Sequence, residues 1–360
     1  MALNHSKKIE NFGPQWFSAV MGTGAVAISM HLASKQFLPF LLVSQIFLAI
    51  TIAMFLLFIG PWVIRFFKYS EKVKKEWKHP VKGNFFPTMP ISLIIIGIAL
   101  DKIGPTLFPS SIIHTVNTLL FFIGSIGIFL FGWIILAIIF VNKKTDVKHA
   151  NYGWFIPPVS HLIIPVLGLS LIKPYAGTLM ADVLFTISMI ALGVGLLLFL
   201  FVGSIVYHRY TYHELPVSRL APTFLIGIAP TSIITIILVK FSGAIENVGI
   251  GIELSKILPE LKIMSLMAWG FSIWWLVLSV ILLLHYVKNK NHPFVFGWWA
   301  YTFPLGAFAI SNGAIAHLID FSIFVYVLQG INVVLLFVWT VVFFSTIKSV
   351  MNGKCFEENE

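Results

Sequence analysis

Four histidines, His31, His114, His161 and His317, lie in or near strongly apolar segments, where paired imidazoles would be the usual means of holding haem or a metal. Their spacing matches no ligand motif. Bonding of each ring to a backbone carbonyl is the simpler state, and only His161 is kept, as a candidate for polarity in a pore. The carboxylates form no acid–base pair either: Asp101, Glu246, Glu253 and Glu260 are expected in loops on one side of a membrane, with Asp182 and Asp320 near helix ends on that side. The run "MGTG" from Met21 has the glycines of a phosphate loop but lacks the following Lys-Ser/Thr, so Gly22 and Gly24 are read as points of close helix approach beside a pore. A single cysteine, Cys355, excludes a disulfide framework and any multi-cysteine metal or redox site. No catalytic residue, metal ligand or cofactor is expected.

What remains is chemistry done by shape and field. In "FGWWAYTFPLGAFAI", Phe296 to Ile310, Pro304 stands where a membrane helix needs an unbroken hydrogen-bond ladder, and Phe303 stands directly before it. A proline bend there aims the preceding ring at an axis, and a phenyl ring in a lumen closes it sterically and by dewetting. Phe303 is therefore the gate candidate, with Pro304, Pro230, Pro158 and Pro90 as candidates lining the same path.

The elements that must carry these residues are membrane helices. Hydrophobic residues make up 58% of the chain and charged ones 11%, far from the charged fraction of a soluble globule. Spans are expected at 13–33, 38–67, 85–103, 112–141, 153–172, 178–207, 221–240, 263–288, 294–316 and 321–347, most exceeding the roughly 20 apolar residues a bilayer requires. The N-terminus shows no short apolar core with a small-residue cleavage site, so no signal peptide is expected. On this scheme 18 of the 24 basic residues, among them Lys143, Lys144 and Lys290, fall on the side holding both termini, and 6 fall on the other. The positive-inside rule places that richer side, with the termini, in the cytoplasm of a cell membrane. The net charge of +10 thus reports topology, and nucleic acid is not needed to explain it.

Proline-bearing segments recur near Phe12, Phe85, Phe155, Ala221 and Phe294, at intervals of 73, 70, 66 and 73 residues, each followed by a longer span almost free of proline. Two helices per repeat return the chain to one face, so five parallel hairpins around a central pore are expected. Freed carbonyls at proline are tolerable only against protein or water, which puts the odd, proline-kinked helices inside and leaves the even, uniformly apolar ones to lipid.

Several of these stretches, "FGPQWFSAVMGTG", "HPVKGNFFPTMP", "WFIPPVS", "LPVSRLAPTFLIGIAPTS" and "WWAYTFPLGAF", resemble the tellurite-resistance/dicarboxylate transporter family, which includes plant guard-cell slow anion channels, malate permeases and sulfite exporters. The resemblance implies ten helices as five hairpins, a pore in each protomer, a homotrimer, and a phenylalanine gate on the ninth helix, the place of Phe303. Phe85 and Phe86 match an aromatic pair near the same constriction. The expectation is an all-α polytopic protein conducting small inorganic or organic anions, as a channel or channel-like exporter. The alternative is a proton-linked carrier of malate or other C4-dicarboxylates, or a tellurite or sulfite exporter. A haem or quinone enzyme built on the span histidines is the remote third reading.

Overall fold

The computed structural model describes residues 5–141, 146–289 and 292–357; Lys143, Lys144 and Lys290, three of the residues weighed for topology, lie outside that set. Ten long helical segments dominate, and there is no strand among the described residues. They are α1 (Pro14–Ala33), α2 (Pro39–Lys68), α3 (Lys82–Thr106), α4 (Ser110–Val141), α5 (Tyr152–Tyr175), α6 (Leu179–Tyr212), α7 (Ser218–Asn247), α8 (Leu254–Lys288), α9 (Thr302–Leu318) and α10 (Ser322–Met351). All but α9 are long and apolar enough to cross a membrane unaided. Polar Ser311, Asn312 and His317 lower the hydropathy of α9, and its 17 residues reach spanning length only with the 3₁₀ turn Phe296–Tyr301 in front of them.

The odd helices touch one another in sequence, α1 to α3, α5, α7, α9 and back to α1, so the inner ring is closed. Each even helix lies against the odd helix before it; α2, α4, α8 and α10 also touch the next odd helix, α10 thereby bridging α9 and α1. Burial follows the ring. Between 72% and 94% of residues in the most apolar part of α1, α3, α5 and α7 are buried, against 17% to 28% in the even helices. Outward-facing Leu57, Trp133, Phe201 and Phe337 leave an apolar surface suited to hydrocarbon.

The prolines act differently from simple mid-helix breaks. Every inner helix opens with a 3₁₀ stretch, at Pro14–Trp16, Lys82–Phe85, Tyr152–Phe155, Ser218–Ile228 and Phe296–Tyr301, and all but α1, whose Pro14 opens the 3₁₀ turn itself, pass into α-helix beside proline. Pro90, Pro158, Pro230 and Pro304 all fall in the first turn of the α-helical part, where backbone amides have no intrahelical acceptor and a missing N–H costs nothing. Pro165 is the proline inside the α-helical part of α5. The 11-residue 3₁₀ run of α7 exceeds the usual three or four, and side chains from α8 hold it. Trp275 Nε1 and Ser279 Oγ both donate to the Phe224 carbonyl, at 3.2 and 3.0 Å, and Tyr286 donates to that of Pro216 at 2.5 Å.

Two boundaries and one residue placement depart from expectation. Helix α8 begins at Leu254 rather than near 263 and runs through an internal proline, Pro259, so Lys256, Glu260 and Lys262 are helical rather than in a loop. The α3 helix ends at Ile103, as expected for the 85–103 span, and Asp101, read as a loop residue, lies in its last turn. Helix α7 remains helical past Lys240, to Ala244.

Candidate functional site

All five inner helices start at the same end, and there they surround a funnel of about 810 Å³. Its walls follow a three-residue step: Gln15, Ser18 and Met21 on α1, Phe85, Thr88 and Ile91 on α3, Ile156 and Val159 on α5, and Ala300 and Phe303 at α9. Gln15, Phe85 and Ala300 lie in the 3₁₀ leads and the others in α-helix, where residues three apart also share one face. The innermost lining residue on each helix is apolar: Met21, Ile91, Val159, Ile226 and Phe303 compose a collar to which each inner helix contributes one side chain. Pro304 also borders the funnel.

The mouth is cationic. Lys72, Lys82, Arg219, Lys348 and Lys354 line it, against two carboxylates, Glu76 and Glu357. Glu76 is neutralised by the buried Arg65 at 2.6 Å, an Arg that also donates Nε to the Glu10 carbonyl at 2.8 Å. Five helix N-termini converge on the same space, and their unpaired amides add positive potential. The funnel therefore concentrates anions and presents them to an apolar constriction.

Phe303 has no ring neighbour in aromatic contact among the described residues, and it is 8% exposed, toward the funnel. Phe308, one turn and a half onward, is 1% exposed and stacks on Trp269 of α8 with centroids 6.4 Å apart. The structure brings Phe85, Phe303 and Pro304 together at the funnel and places the other candidates elsewhere. Phe86 lies between Trp77 and Phe131, at 5.4 and 5.9 Å. Pro90 abuts Gly127 of α4. Pro158 and Pro230 are buried in the first α-helical turns of α5 and α7, outside the funnel wall. His161 turns toward α4, its ring 5.1 Å from that of Phe129 and against Gly132, with Nδ1 2.8 Å from the Pro157 carbonyl. Gly22 and Gly24 are contact points: a Cβ on Gly22 would come within 1.9 Å of Thr302 Oγ1, and one on Gly24 within 2.6 Å of Ile95. Gly306 closes the α9–α1 seam similarly against Ala25, at 2.5 Å.

Met21, Ile91, Val159 and Ile226 escape sequence reasoning because apolar residues abound in every span. The repeat itself was the available signal, since the collar residues recur at 70, 68, 67 and 77 residues, close to the proline interval. A polar group at the opposite end also goes unforeseen. There Lys240 of α7 donates to Ser170 Oγ of α5, and Asp101 of α3 pairs with Lys102 at 3.1 Å.

A closed ring of inner helices sheathed by apolar partners, with a basic funnel at one end, defines an all-α polytopic membrane protein. The chain belongs to the SLAC1 family, described as voltage-dependent anion channel, which it matches over residues 11–347. It is 32% identical over 350 residues to an uncharacterized transporter of Methanocaldococcus jannaschii, covering 97% of this chain and 96% of that one. It is 23% identical to the malic acid transport protein of Schizosaccharomyces pombe, over 98% and 81% of the two chains. With a sulfite efflux pump of Arthroderma otae it shares 20% identity over 94% and 91%. The family is one of anion channels and transporters rather than enzymes.

Proposed function

We propose that this chain is a channel-like exporter of small anions in the cell membrane, gated by Phe303, with the basic funnel facing the cytoplasm. The observation that carries the reading is Phe303 at the foot of a cationic funnel with no second ring clamping it. Anions gather at the mouth by charge and are stopped by an apolar collar that water wets poorly. Rotation of one unclamped side chain then opens the path. The names of relatives that move malate and sulfite agree with anions of that size, and the termini and basic loops take the cytoplasmic side by charge asymmetry. Three protomers assemble through their apolar outer faces, each retaining its own path.

The test is flux in reconstituted vesicles across chloride, nitrate, sulfite and malate, with and without an imposed proton gradient. A conductive path gives flux set by voltage and anion gradient, with Phe303→Ala raising it. A proton-linked malate carrier is the second reading, favoured by the titratable Asp101–Lys240 neighbourhood within the ring. Uphill malate accumulation driven by a pH gradient at clamped voltage would select the carrier.

A further inference from the structure

The end of the ring opposite the funnel carries charge that the family comparison leaves without a role. Asp101 and Lys102 stand on α3, Ser170 on α5 and Lys240 on α7, so three successive inner helices supply the group. Lys240 donates its ammonium to Ser170 Oγ, Lys102 grips Asp101 at 3.1 Å, and Asp101 interacts with both Ser170 and Lys240. Helix α5 stands between α3 and α7 in the ring, so a group joining Asp101 to Lys240 through Ser170 follows the wall of the axis. Lys102 and Lys35 both lie within electrostatic range of His31 of α1.

We propose that Lys240, Lys102 and Ser170 form a binding site for one carboxylate group or one monovalent oxyanion at the far end of the pathway, with Asp101 as its tethered resting occupant. Two ammonium groups supply donors from different helices to a planar oxyanion, and Ser170, whose Oγ accepts from Lys240 and donates to the Val166 carbonyl, holds one of them in place. Asp101 already shows how such a ligand sits: its carboxylate pairs with Lys102 at 3.1 Å and lies within electrostatic reach of Lys240. An arriving anion displaces a carboxylate of matching chemistry, so it releases as readily as it binds. Ionisable groups this deep in a membrane protein are expensive to keep, and a site on the transport path repays them. The proposal rests on the anion-transport reading, whose funnel lies at the opposite end.

The experiment uses the full chain in detergent, with nitrate and with malate as probes, and reads the probe concentration that gives half of the maximal thermal stabilisation. Vesicle flux of the same anions is measured in parallel. Lys240→Met should raise the half-effect concentration by roughly tenfold or more, while Lys240→Arg stays near the parent value. Asp101→Asn, which removes the tethered competitor, should lower it several-fold. Should Lys240→Met not fold, Lys240→Arg and Asp101→Asn still decide. No stabilisation of the parent by either probe, a Lys240→Met value equal to the parent's, or weaker binding in Asp101→Asn overturns the site. If flux persists in those cases, the transport reading survives alone; if binding behaves as stated but no anion crosses, the transport reading is what falls.

Discussion

At the scale of single residues, two phenylalanines on one helix differ in what they touch. Phe308 is enclosed and stacked on Trp269, so Phe308→Ala should cost about 3–5 kcal/mol, visible as a lower unfolding temperature with no gain in flux. Phe303 borders open volume and lacks an aromatic partner among the described residues, so its truncation removes less contact and more obstruction. Phe303→Ala should raise basal anion flux by roughly tenfold or more, the effect of lowering a barrier by about 1.4 kcal/mol, while elution and stability stay near parent values. Equal flux in both variants would make Phe303 a contact ring and place the gate elsewhere in the collar. Of these roles, the position of Phe303 was legible from a ring before a proline inside an expected span, a pair that also occurs at Phe86-Pro87 and Phe108-Pro109. The remaining collar residues were not: an isoleucine that lines a path and one that meets lipid are the same letter. Lys240 and Asp101 were hidden for another reason. A charge near a span boundary reads as loop, although both lie within the expected spans and both are helical.

At the scale of elements, the sequence repeat foretold five inner helices but not their form. Proline was legible as a mark of the interior; that it would initiate α-helix after a 3₁₀ lead was not, because the leads run from 3 residues in α1 to 11 in α7 and shift the register of everything after them. The ring is sealed where small residues let backbones meet, and the α9–α1 seam closes the circle. Gly306→Val should therefore disrupt that seam, since even a Cβ would press on Ala25 backbone and side chain; a fall in unfolding temperature of several degrees, absent in Gly193→Val on open surface, checks it. Connecting segments carry a pH dependence. His79, between α2 and α3, accepts amides of Val81 and Lys82 at Nδ1, both at 3.1 Å, and burial first, then Lys82, holds its imidazole below the ordinary range. Burial lowers His292 as well, beside the Tyr301 hydroxyl at 2.9 Å. A histidine whose pKa is depressed by folding binds its proton more readily when unfolded, so stability is full above the unfolded value of about 6.5 and is lost as pH falls from there toward the folded values. Thermal unfolding followed from pH 7.5 downward should show that loss, and His79→Gln should reduce its slope.

At the scale of the whole molecule, the basic funnel and the positive-inside asymmetry make one joint claim about orientation. Lys72, Lys82, Arg219, Lys348 and Lys354 all come from the side that holds most of the basic residues, so funnel and cytoplasm coincide if that asymmetry sets insertion. Cys355 borders the funnel and is the single cysteine, which makes it a reporter placed by the fold itself. Burial raises its thiol above the ordinary range despite an opposing hydrogen bond from Ser349, so labelling by a maleimide should be slow at neutral pH and quicken as pH rises. A membrane-impermeant maleimide should reach it in inside-out vesicles and not in intact cells. Because the label occupies the charged mouth of a funnel of about 810 Å³, it should also reduce flux. If every protomer has its own path, inhibition grows in proportion to the fraction of protomers labelled, whereas a path shared on an oligomer axis would be blocked by the first label and give a curve that falls faster than that fraction. Labelling from the outside would invert the topology, and a steeper than linear fall would move the path from the five-helix ring to the interface between subunits.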